Sequence, residues 1–270
     1  MRSLLFTALC LLGCLTIVLV ACKPDEPPTI PRTGSLVIGF DNVAGNQDLQ
    51  LNTGVYRNAA GEQFSVSLLN YFVSNIRLQR ANGTDYIVPQ DSSYFLIREA
   101  DPASQRITLR DVPTGNYVSM TYVLGVDSLR STLDISRRTG VLAPAGGMNG
   151  GMYWDWNSGY IFFKLEGTSP QAPLDPTGAR RFQYHVGLFG GYDTRTLNNL
   201  RTITVPFGAT QPLVQEGQTT QIGIKADVLK VFSGTTPVRI AQNSTVMVSP
   251  FSATIASNYA SMFQYVPQTN

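Results

Sequence analysis

From Leu36 onward, apolar and polar residues alternate in short runs, and the runs are separated by Gly, Asn, Asp and Pro. Alternation with period two puts every second side chain on one face of an extended chain, which is the signature of a half-buried strand. Phe64–Leu68, Tyr117–Val126, Phe182–Val186 and Gln221–Val228 are clear cases. Reversals are marked by Asn82-Gly83 and by Pro113-Thr114-Gly115, where glycine supplies the positive φ of a tight turn. Helical periodicity stands out only near the end. There Ser249 is placed to cap, Pro250 fits the first turn, and Ile255, Tyr259, Met262 and Phe263 share one face. No repeat of fixed period accompanies the strands. The pattern predicts an all-β fold, an antiparallel β-sandwich with a short C-terminal helix.

The beginning of the chain follows another rule. Arg2 precedes an apolar run from Leu4 to Val20 that ends at small Ala21, as in a secretory signal peptide spanning 1–21. Leu19-Val20-Ala21-Cys22 resembles the lipobox of bacterial lipoproteins, in which the Cys22 thiol accepts the lipid and becomes the first residue of the mature protein. Residues 22–34, with Lys23-Pro24-Asp25-Glu26-Pro27-Pro28 at their head, read as an extended tether before a β domain over 35–270. The lysine-plus-acid start is similar to the export signal of surface lipoproteins. The expected location is the outer membrane, facing the periplasm or the exterior. Cys10 and Cys14 lie in the segment removed, so no disulfide supports the mature domain and its core must hold it. Lys and Arg number 20 against 18 Asp and Glu, and losing Arg2 lowers the formal charge from +2 to +1. A balance so even argues against nucleic acid as a partner, because phosphate binding needs a concentrated basic surface.

Candidate chemistry gathers in two places. Met152-Tyr153-Trp154-Asp155-Trp156 holds both tryptophans and runs through Asn157-Ser158-Gly159 into Tyr160–Glu166. As a strand, turn and returning strand, it aligns Met152, Trp154 and Trp156 on one face, with Asp155 and Tyr160 as further lining residues. A packed aromatic core explains the same composition. The glycine-rich Gly146–Gly151 before it lacks the Lys-Ser/Thr ending of a phosphate loop and reads as a flexible approach. His185, the sole histidine, falls with Gln183 and Gly187 opposite the apolar face of its strand, so it is a surface or site residue. No Gly-x-Ser-x-Gly elbow accompanies it, and no spacing pairs Asp155 with Glu166 for glycoside chemistry. The expectation is therefore a protein that is not an enzyme.

Four segments together carry a family resemblance: Tyr71–Leu78, Leu124–Asp127, Met152–Gly167 and Asn258–Phe263. They resemble the MbnP family over roughly Leu36 to Tyr265, the tryptophan motif being the most specific part. The resemblance implies kinship with copper-regulated surface proteins of methane-oxidising bacteria, which bind copper through histidines and a tryptophan oxidised to kynurenine. It implies copper as ligand, His185 as a metal-binding imidazole, and Trp154 or Trp156 as the modified residue. A MauG-type di-haem peroxidase is the implied partner for that oxidation. The chain departs from the pattern in having one histidine, with Asn42 in Phe40-Asp41-Asn42-Val43 where another is expected. A degenerate copper site, one completed by Met, Asp or backbone groups, and no copper at all stay open. The reading from another class is a metal-free module that binds glycans or proteins through Tyr153, Trp154 and Trp156.

Overall fold

The computed structural model describes residues 32–154 and 159–268. The signal segment, Cys22 and most of the tether lie outside the described residues, as do Asp155, Trp156, Asn157 and Ser158. The main strands are β1 Thr33–Ala44, β2 Gln63–Arg80, β3 Tyr94–Arg98, β4 Arg106–Pro113, β5 Gly115–Leu124, β6 Gly159–Thr168, β7 Arg181–Gly187, β8 Arg201–Pro206, β9 Thr219–Asp227 and β10 Phe263–Val266. They form two sheets. The smaller has the order β10-β9-β1, with β4 pairing along the other edge of β1. The larger has the order β8-β5-β2-β6-β7, with β3 against β2.

Each predicted run lies within or across one of these strands, and the alternation works as expected. On β1, Leu36, Ile38 and Phe40 turn inward while Val37, Gly39 and Asp41 face out. Aromatic rings join the two layers. Phe40 meets Tyr71 at 6.1 Å and Tyr122 at 6.3 Å between centroids, and Phe163 lies 5.2 Å from Tyr259. Burying one such ring contributes about 1.5–3 kcal/mol, so this seam is a principal source of stability in a domain with no disulfide. Gly83 and Gly115 both take positive φ at the reversals expected of them.

Three expectations change. The sandwich is mixed and not purely antiparallel: β1 runs parallel to β9 over Ser35↔Thr219 to Val43↔Asp227, and β7 runs parallel to Thr245–Val246. Alternation reports which face is buried and says nothing of a neighbour's direction. The closing helix α1 is Ser252–Tyr259, with no side-chain cap, and Ser249 contributes only its carbonyl, which accepts from the Ser252 N–H at 2.9 Å. Met262 and Phe263 are buried because the chain turns into β10, not because they continue the helical face. The glycine-rich segment is not a loop but part of an irregular helical stretch, Pro144–Met152, broken at Gly146 and Gly151.

That stretch belongs to an excursion between β5 and β6 that covers part of the larger sheet's outer face. Phe72, an outward residue of β2, meets Tyr160 edge-on at 5.5 Å, and the Tyr160 hydroxyl donates to the Leu142 carbonyl at 2.6 Å. Arg138 pins the excursion from its other side. Its guanidinium donates to the Leu133 carbonyl and to the Tyr153 hydroxyl, both at 2.9 Å, and lies over the Tyr153 and Tyr160 rings. Among the described residues, no helix is long and apolar enough to cross a membrane.

Candidate functional site

Where the excursion returns to the sheet, β6 and β7 carry two groups of interest. β6 and β7 pair antiparallel with Lys164 opposite His185 and Glu166 opposite Gln183. Alternation sends all four side chains to the outer face, and the diagonal between the strands brings imidazole and carboxylate together. His185 Nε2 lies 2.6 Å from Glu166 Oε1, and the Lys164 ammonium is 3.6 Å from the same oxygen. Lys164 also donates to the Gly151 carbonyl at 3.1 Å, tying the end of the helical stretch to the sheet. The hydrogen bond from His185 holds the Glu166 carboxyl below its ordinary range; burial opposes this and Lys164 reinforces it. An ionised Glu166 accepts, so the imidazole carries a proton on Nε2. His185 is only 9% exposed.

The second group is an indole seated on a glycine. Tyr153–Trp154 pairs with the start of β6, Trp154 opposite Gly159 and Tyr153 opposite Tyr160. The Trp154 ring reaches over β7, where a Cβ on Gly187 would stand 2.7 Å from Cζ3, 3.2 Å from Cη2 and 2.6 Å from the Tyr160 carbonyl oxygen. Only glycine admits the ring so close. Gly187 follows His185 by two residues, so the seat of the indole and the imidazole lie one side-chain step apart on the same face, about 7 Å along the strand.

The chain just beyond is strained. Leu188 has φ of 74°, a left-handed conformation costly for a branched side chain. Asn199, fully buried, holds the bend: its side chain donates to the Gly187 carbonyl and its N–H to the Leu188 carbonyl, both at 2.8 Å. Trp154 and Leu188 share a narrow cleft with Phe189, Thr196 and Tyr192. Tyr192 stands at this cleft 65% exposed.

The structure thus places Trp154 beside the strand that carries His185. Met152 and Tyr160, expected as lining residues, are fully buried beneath the surface. Met152 ends the helical stretch and is not part of the strand with Trp154. Asp155 and Trp156 lie outside the described residues. The sequence alone does not mark Lys164 or Gly187 as site residues, and it offers Glu166 only as half of a pair with Asp155. The alternation Lys164, Glu166 against Gln183, His185 was the signal available for the charged pair. Nothing local announced the seat at Gly187.

The family model of MbnP matches residues 33–248. The chain belongs to the MbnP family. Among solved structures, MbnP from Methylosinus trichosporium is similar in fold, at 15% sequence identity and a TM-score of 0.53, over 81% of this chain and 82% of that one. No curated protein matches the chain. The MbnP relationship makes copper the ligand to weigh against the donors. Among the described residues, no group of three or more His, Cys, Asp or Glu side chains is placed to hold a metal ion. Glu166 already faces an imidazole N–H and an ammonium, and Lys164 adds positive charge beside the one histidine. Copper favours several nitrogen or sulfur donors. The described donors therefore do not fit a resident copper centre. Among the described residues, neither a serine nor a thiol hydrogen-bonds His185.

Proposed function

We propose that this MbnP-family protein is a non-catalytic binding protein held outside the cytoplasm by lipid on Cys22, and that the Trp154–His185 face is its recognition site. The observation that supports the reading is a glycine-seated indole beside a strand whose imidazole is oriented through Nε2 by Glu166. On this reading copper is a passing ligand taken through one imidazole. A Cu(II) titration of the mature domain checks it: one weak, exchangeable site is expected, lost in His185→Ala. Equal binding in the two proteins, or none in either, removes copper from the reading and leaves the family assignment standing.

Oxidation of Trp154 or Trp156 to kynurenine by a MauG-type di-haem peroxidase belongs to the same proposal. Mass spectrometry of the peptide carrying both indoles, taken from cells making such a peroxidase, is expected to show one oxygen gained and one carbon lost. Cys22→Ser is expected to release the protein from membranes. A second reading, a glycan- or protein-binding module without metal, is favoured by Tyr192, an exposed ring at the cleft that Trp154 lines. Quenching of tryptophan emission by glycans, undiminished in His185→Ala, would support it.

A further inference from the structure

The smaller sheet carries an open trough of about 280 Å³ on its outer face. Its floor is the row where Gly39 of β1 lies beside Gly223 of β9. Both glycines belong to the outward-facing set, so two adjacent strands lose their side chains at the same level. Val37 and Gln221 form one wall, a step back along the strands, and Asp41 and Lys225 form the other. Arg106, the register partner of Gly39, closes one end, and Val266, the partner of Gly223, closes the other.

The sandwich does not require Gly39. Its φ is not positive, and a Cβ there would meet nothing nearer than the Ile222 carbonyl oxygen at 3.8 Å. This is the opposite of Gly187, where the same atom collides with an indole. A glycine inside a strand forgoes packing and β propensity, and it often marks the close approach of another group to the backbone. At Gly223 such a group is already visible, since the Gln268 carboxamide nitrogen takes the place a Cβ would occupy.

The walls say what chemistry fits. Asp41 and Lys225 sit side by side in register and offset one another. Arg106 donates to the Gln221 carboxamide at 3.3 Å and, among the described residues, has no carboxylate within ion-pair distance. One guanidinium is thus left to accept a carboxylate in its fork. Gln221, Gln268, Asp41 and Lys225 provide donors and acceptors suited to hydroxyls. Pockets for drug-sized ligands start at about 300 Å³, so the trough takes a single ring. We propose that it is a second binding site, specific for an acidic sugar of one-ring size, with the carboxylate on Arg106 and the ring over Gly39, beside the Gln268 carboxamide that covers Gly223.

The probe is hexuronate, as glucuronate and galacturonate, added to the isotope-labelled mature domain and followed through the amide resonances of Gly39 and Gly223. Saturable shifts are expected there for at least one hexuronate, with affinity at least about tenfold above that for glucose or acetate. Gly39→Val fills the floor with a strand-favouring residue, so it should melt at or above the wild-type temperature while losing the shifts. Arg106→Gln should bring the hexuronate down to the level of glucose. Absence of saturable shifts for both hexuronates, shifts that survive Gly39→Val, or equal affinity for acetate or glucose would overturn the proposal. His185→Ala is expected to leave this binding unchanged, which keeps it separate from the fate of the Trp154–His185 site.

Discussion

Placing a methyl group at position 187 is the sharpest probe of the indole seat. In Gly187→Ala the new Cβ would fall 2.7 Å from Trp154 Cζ3 and 2.6 Å from the Tyr160 carbonyl oxygen, both well inside contact distance. The ring can swing away, whereas the carbonyl is backbone of a central strand and its share of the clash is relieved only by a shift between the strands. Overpacking of this kind costs about 1–3 kcal/mol, and alanine recovers about 0.5–1 kcal/mol of the backbone entropy that glycine spends. A net loss of about 1–2 kcal/mol corresponds to about 2–8 °C in melting temperature for a domain of this size. Thermal melts and tryptophan emission are the assay. The variant should melt lower and emit further to the red, since an indole now only 7% exposed would be lifted toward water. Trp154→Phe shortens the ring, and in that background Gly187→Ala should lose only the part of its cost that the indole imposes, the contact with the Tyr160 carbonyl remaining, giving a coupling of about 1 kcal/mol. A variant that melts like the wild type with unshifted emission, or a double mutant whose losses simply add, would refute the seat.

Three carboxylates make further outcomes calculable. Glu166→Gln should cost about 1 kcal/mol at neutral pH. Because the folded-state pKa of Glu166 is depressed, its contribution is complete above the unfolded value and fades as pH falls through the folded one, so urea unfolding of wild type and variant should converge in acid. Glu99 goes the other way: burial foremost raises it to about 6, so ionising it weakens the fold as pH climbs from about 4.3. Glu99→Gln should therefore gain about 1 kcal/mol over wild type at pH 7 and nothing at pH 4, measured by denaturant melts. Glu62 accepts from the Ile240 N–H at 2.7 Å, the Ala241 N–H at 3.0 Å and the Asn58 amide at 2.7 Å. A glutamine there turns a donor toward donors, and Glu62→Gln should lose about 2–3 kcal/mol and expose the 238–241 turn to limited proteolysis.

The strands were readable because burial of one sheet face writes itself into alternate residues, as Leu36, Ile38 and Phe40 show. The outward position of His185 followed from the same rule. Its partner did not, because the match of Glu166 to His185 depends on a register that shifts between Ile161 and Phe163, and a shift of one residue leaves no trace in composition. The helical stretch Pro144–Met152 was hidden for a different reason. Glycine has poor helix propensity, so a segment that coils against that grain looks like a loop in the sequence. The seat at Gly187 and the trough at Gly39 look alike as letters, and only the neighbours supplied by the fold tell them apart.

The parallel union of β1 with β9 bears on how the molecule is made. About three quarters of the domain lies between these two segments, so the edge of β1 facing β9 stays unsatisfied until late in synthesis. Such remote pairing slows folding and prolongs the lifetime of the open chain. For a polypeptide expected to be exported, that delay keeps the nascent molecule threadable until β9, at the start of the last fifth of the chain, has emerged.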